Sequence, residues 1–181
     1  MIGKGKSISH GVAALEYDLA KEINGQAVAT EIARHELYGC TGAEMVQEMK
    51  PYHIDFPNVK NNCLRFEVSP SIEESATFTD ADWAELGNDF MQRMGLANHQ
   101  YIIIRHSGTE SKKEQAHLHI LANRVSLSGE LYRDNWIGKK ATEAANAIAK
   151  ERNFVQSQDI GKVNKAEIKE AMDGVLKKMQ G

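Results

Sequence analysis

The chain has 181 residues, with 22 Lys and Arg against 25 Asp and Glu, a formal net charge of −3 and 41% apolar residues. That length suits one domain with a short appendage, and the composition excludes a disordered or linker-rich chain. No apolar run reaches the roughly 18 residues of a membrane span, no signal-peptide pattern opens the chain, and Cys40 and Cys63 lack a CxxC spacing, so a reduced cytoplasmic setting is expected.

In chain order, the basic, Gly-containing opening MIGKGKS is a short strand or loop. Ser9 is placed to cap a helix running to about Ile23, because Val12, Leu15, Leu19 and Ile23 recur at helical spacing. Two further helical stretches are predicted near Ala29–Tyr38 and Gly42–Lys50, the second ended by Pro51. Asn62–Val68 alternates as a strand, with Leu64, Phe66 and Val68 on one face and Arg65, Glu67 and Ser69 on the other. Thr79 opens a helix that extends to Met94 and stops at Gly95. His99–His106 and Ala116–Leu127 read as strands, and Ser128-Gly129 as a turn into Glu130–Tyr132. Two helices, near Gly138–Arg152 and Asn164–Met179, close the chain. The whole is α+β, an antiparallel sheet covered by helices.

Charge is unevenly spread along this order. Between Phe66 and Gln92 lie seven acidic residues and no Lys or Arg, so that window carries −7 and the remainder +4. From Arg105 to Lys140 the balance is +3. The total therefore excludes a uniformly basic DNA coat but leaves room for a local basic groove.

The informative segment is RHSGTESKKEQAHLHILANRV, residues 105–125. His117 and His119, two apart in an apolar strand, point from the same face, while Leu118 and Ile120 point from the other. His106 ends the preceding strand. A hairpin across the polar loop Ser107–Gln115 brings it beside the pair, since cross-strand Cβ atoms lie about 4.5–5.5 Å apart. Three imidazoles so placed hold a divalent metal with open positions, able to polarise a phosphoryl oxygen. Histidines 10, 35, 53 and 99 fall outside the pattern and are expected at the surface. Tyr17 lies off the apolar stripe of its helix, among small neighbours. A phenol of pKa about 10 becomes a nucleophile only beside a base or a positive charge.

Tyr17 in a helix behind a Lys/Gly/Ser-rich opening, then TFTDADWAELGNDFMQRMGL, HQYIIIRH and HLHILANRV, resembles plasmid relaxases. More specifically, it resembles the relaxase/mobilisation nuclease domain of the His-hydrophobic-His endonucleases, over about Gly3 to Asn153. The resemblance implies a sheet of about five antiparallel strands with the histidines on the central ones. It further implies metal-dependent, site- and strand-specific nicking of single-stranded DNA at a transfer origin for conjugative mobilisation. Tyr17 would form the 5′-phosphotyrosyl link. His106, His117 and His119 would hold Mg²⁺ or Mn²⁺, and Asn123 would position substrate or a histidine. The family often carries an aspartate two residues after the first histidine, where this chain has Gly108, and Glu67 is the carboxylate expected to substitute or to take the phenol proton. Lys4, Lys6, Lys112, Lys113 and Arg124 are the expected phosphate contacts.

Residues 1–155 are read as the nuclease domain and 156–181 as a C-terminal helical extension leading onward to missing regions. Accessory mobilisation or conjugation proteins are expected partners, and membrane insertion is not. Two alternatives share the fold: a rolling-circle replication initiator with the same chemistry, and a catalytically inactive DNA-binding module, which Gly108 favours.

Overall fold

A computed structural model describes residues 1–108 and 115–179. In chain order the elements are β1 (Ile2–Ile8), α1 (Gly11–Leu19), β2 (Glu22–Ile23), β3 (Gln26–Ala27), β4 (Ala29–His35) and α2 (Gly42–Met49). A 3-10 turn over Lys50–His53 follows, then β5 (Cys63–Ser69), α3 (Ile72–Ser75), α4 (Asp80–Arg93), β6 (His99–His106), β7 (His117–Ser126), α5 (Ile137–Glu151) and α6 (Ser157–Met179). Five strands form one sheet in the order β1-β5-β7-β6-β4, every neighbouring pair antiparallel. The expected α+β class and strand number are what the chain adopts.

Several elements form where local chemistry asks for them. Thr79 caps α4 in a reciprocal box with Asp82, and Gly95 ends it at φ 73°. Three expectations need correction. The helix placed over Ser9–Ile23 is the shorter α1, with His10 rather than Ser9 at its N-cap, and Ile23 lies in β2. Asn24-Gly25, both at positive φ, turns β2 into β3 as a tight hairpin and so stops any helical continuation. The helix placed near Ala29–Tyr38 is the edge strand β4, bound to β6 with a bulge between Glu31 and Ala33. Pro51 does not end the chain's helical run: it sits in the first turn of the 3-10 segment, where its missing N–H costs nothing.

Each face of the sheet is covered differently. Leu64, Phe66, Val68, Ile103, Leu118 and Ile120 lie under α4 and α5, packed on Trp83, Leu86, Phe90, Ala141, Ala145 and Ile148. Each such fully buried large side chain contributes roughly 1.5–3 kcal/mol. β1 admits α5 at close range because it lacks side chains there: a Cβ on Gly3 would stand 2.4 Å from the Ala141 carbonyl oxygen. On the opposite face, Cys63, Ile102, Ile104 and Leu121 pack under Ala14 and Leu15 of α1 and Met45, Val46 and Met49 of α2. Only Asp18, near the end of α1, reaches the other end of that face, which opens to solvent at Lys4 and Glu67. Acidic α4 packs on the far side of the sheet from that open end, so of the −7 window only Glu67 reaches it.

Candidate active site

The open end is built by alternation. Along β7, His117, His119, Leu121 and Asn123 share one face. Register pairs His106 with His117 and Ile104 with His119 across to β6, and Glu67 with His119 across to β5. Lys4 pairs with Glu67, and Lys6 with Arg65, across to β1. Strand geometry alone therefore sets histidines, an arginine, a carboxylate and two lysines on one surface.

His106, His117 and His119 each offer one ring nitrogen, and these three atoms lie within 4.8 Å of one another. The Nε2 atoms of His117 and His119 are 3.1 Å apart. Nε2 of His106 is 2.7 Å from the Asp18 carbonyl oxygen and Nδ1 of His117 is 3.1 Å from that of Gln115, so in each ring the remaining nitrogen is free to face the cluster. Burial holds the His106 imidazole below its ordinary pKa. His119 is pushed down to about 2, chiefly by burial and then by His106 and the Arg65 guanidinium. Both rings are thus neutral near pH 7, the protonation state a metal requires. Nitrogen donors, converging geometry and neutral rings fit a divalent cation.

Asp18 is the residue that sequence reasoning missed. It is 1% exposed, on the same face of α1 as Gly11, Ala14 and Leu15. Its carboxylate accepts two hydrogen bonds from Arg65, and Oδ1 comes to 3.9 Å from Nδ1 of His119. Nη2 of Arg65 is 3.3 Å from that same nitrogen. The carboxylate that reaches the imidazoles is therefore Asp18 and not Glu67, whose contact is Lys4 at 2.9 Å. The signal was available: Gly11, Ala14, Leu15 and Asp18 follow helical spacing, and an acid on a packed face needs a cation.

Tyr17, one residue before Asp18, is 57% exposed. Its phenol oxygen accepts a hydrogen bond from Lys21 Nζ at 2.6 Å, the ammonium also standing 4.8 Å from the ring centroid. The same ammonium acts electrostatically on His106. Tyr17 thus directly precedes the residue that meets the cluster, and its own phenol is held by Lys21.

Other expected residues divide. Lys4 and Lys6 line, with Gly5, Arg65, Phe66, Glu67 and His119, a groove of about 210 Å³. Lys112 and Lys113 lie outside the described residues. Asn123 is fully buried and does not join the cluster: its amide donates to Gln100 Oε1 and its oxygen accepts from the Val125 N–H and contacts His53 Nε2 at 2.7 Å. Arg124 is likewise committed, to Asp134 at 2.7 Å and to the carbonyls of Asn61 and Tyr132. Of the histidines expected at the surface only His10 is exposed; His35 and His53 are half-buried, and His99 is buried against the Asn123 carbonyl.

An antiparallel sheet thus presents three converging imidazoles able to hold a metal ion, beside a helix that carries a tyrosine. The family model described as Relaxase: MobA/VirD2-like, nuclease domain matches residues 17–154, and the chain belongs to that family. At the family level it is a DNA-nicking endonuclease that binds single-stranded DNA. No curated protein matches the chain. Among the described residues no helix is long and apolar enough to cross a membrane.

Proposed function

We propose that this chain nicks one strand of a transfer origin by tyrosine attack and so prepares DNA for conjugative mobilisation. The observation that carries the reading is the converging His106, His117 and His119, with the carbonyl of Asp18, the residue after Tyr17, on His106 and Lys21 on the Tyr17 phenol. Tyr17 Oη forms the bond to phosphorus, the bond to the 3′ oxygen breaks, and the products are a 5′-phosphotyrosyl link and a free 3′-hydroxyl. Protons balance, since the phenol gives one up to solvent or a nearby carboxylate and the leaving oxygen takes one up. Because one phosphodiester replaces another, the same site can rejoin the strand. The Lys21 ammonium is placed to stabilise negative charge developing on the phenol oxygen.

His106, His117 and His119 would hold Mg²⁺ or Mn²⁺. A divalent ion there supplies Lewis-acid stabilisation of the non-bridging phosphoryl oxygens. The Asp18–Arg65 pair orients His119, the role that a buried carboxylate takes beside a ligating imidazole. Lys4 and Lys6 track the DNA backbone along the groove, and Glu67 fixes the Lys4 ammonium there. Residues 1–155 make up the nuclease domain and 156–181 the extension. Accessory mobilisation proteins complete the complex in the cytoplasm.

Incubating the protein with 3′-labelled single-stranded origin oligonucleotides and Mn²⁺ or Mg²⁺ tests this. The label should shift onto protein on a denaturing gel, and Tyr17→Phe should abolish the shift. Cleavage that survives Tyr17→Phe would mean that water is the nucleophile. DNA binding without cleavage on any origin would mean an inactive module.

A further inference from the structure

Trp136 is 79% exposed and takes φ 60°, ψ 27° at the N-cap of α5. A bulky side chain rarely adopts that left-handed backbone, and such a conformation persists only where the surroundings over-determine it. Here they do. Arg124 holds the preceding loop through Asp134 and the Tyr132 carbonyl, Lys140 Nζ donates to the Arg133 carbonyl and sits 5.1 Å from the Tyr132 ring centroid, and the Ile137 N–H donates to Asp134. The indole is thus presented to solvent on a fixed loop, although an apolar ring gains nothing from water.

Its place in the fold is the edge of the sheet. Two residues on, a Cβ at Gly138 would stand 3.5 Å from the Gly5 carbonyl oxygen, and Thr142 Oγ1 donates to the Gly3 carbonyl at 3.1 Å. α5 packs on the face opposite the histidines, and its start lies at the sheet edge along β1, whose Lys4, Gly5 and Lys6 line the groove leading from His119. Arg133 and Lys139, on either side of Trp136, are exposed. A strand of DNA leaving the histidines across β5 and β1 travels about 10 Å over two strand spacings, about three stacked nucleotides, and so reaches the sheet edge at which α5 begins.

We propose that Trp136 is a stacking platform for one base of the single-stranded DNA substrate, holding the strand in register with the histidine cluster. The inference rests on the nuclease reading for the identity of the strand. Stacking suits a rigid exposed aromatic flanked by cations, because every base offers a π-face and the cations meet the phosphates. Trp136 is a positioning residue: it touches substrate away from the reacting phosphate. It also explains Arg124, which serves DNA by holding this loop and not by direct contact.

Binding of a fluorescein-labelled random-sequence single-stranded oligonucleotide, followed with the tryptophan emission of the protein, tests the proposal. Trp136→Ala should weaken binding by roughly 5- to 100-fold, the range for loss of one base–aromatic stack. Trp136→Phe should keep affinity near wild type while losing the emission quench, because the remaining Trp83 is 2% exposed. Trp136→Asn should unfold at the same or a higher temperature than wild type, since asparagine tolerates the left-handed backbone, yet bind as weakly as the alanine variant. Equal affinity of wild type and Trp136→Ala would overturn the platform while leaving the nuclease reading intact. No binding by the wild-type protein would overturn both.

Discussion

β7 carries two polar sites on one face, four residues apart, and they have opposite fates. At its N-terminal end His117 and His119 converge with His106 beneath Asp18 of α1, beside the groove of Lys4 and Lys6, and their ring nitrogens point at one another. Toward its C-terminal end Asn123 is sealed under the 3-10 turn, with its amide and carbonyl shared among Gln100, His53 and Val125. The two differ in satisfaction. Asn123 has a partner for each polar atom and so holds structure, whereas the histidine nitrogens directed into the cluster have mainly each other, an arrangement that a cation completes.

Substitutions at the two ends should separate these roles. The largest effect is expected of His119→Ala, which should remove tight Mn²⁺ binding in titration calorimetry; unchanged binding would mean that the three histidines do not hold the ion. Asp18→Asn should weaken that binding by about 10- to 100-fold, because His119 loses its orienting carboxylate. It should also lower stability by about 3 kcal/mol in urea, since the partly buried Arg65 loses its counter-charge. Asn123→Ala should cost about 2–4 kcal/mol through buried partners left unpaired, with Mn²⁺ affinity unchanged.

Acid should act on the open end. With a folded pKa of about 2 against about 6.5 when unfolded, His119 binds its proton only in the unfolded chain between those values. Stability contributed there is present above pH 6.5 and is lost as pH falls toward 2, and His119→Gln should flatten that limb of the urea-midpoint profile. The smallest effect belongs to the groove lysines: Lys4→Ala and Lys6→Ala should each lower the slope of log affinity for single-stranded DNA against log salt by about 0.7.

The sites differ also in how far the sequence disclosed them. Alternation along β6 and β7 placed the three histidines together, because a strand fixes side-chain direction by parity alone. Asp18 was hidden by a helix face read from large apolar residues. The packed stripe is Gly11, Ala14, Leu15 and Asp18, and Val12 is 39% exposed. Asn123 has the same parity as the histidines, so only the tertiary placement of the turn at Lys50–His53 separates it from them. β4 resembled a helix because Ala, Glu and Arg favour one, and an edge strand with a bulge and mixed exposure shows little alternation. Asn24-Gly25, a strong hairpin signal, marked the true end of the Tyr17 helix.

That helix carries the central claim, that the open end of the sheet works with Tyr17 as its nucleophile. The most direct measurement is mass spectrometry of tryptic peptides from the DNA-reacted protein. A nucleotide adduct is expected on the peptide spanning residues 7–21, at Tyr17, with the 5′ phosphate of the cleaved strand in the link. An adduct on another residue, such as Tyr38, which is 77% exposed, or cleavage that leaves a free 5′ phosphate and unmodified Tyr17, would contradict it.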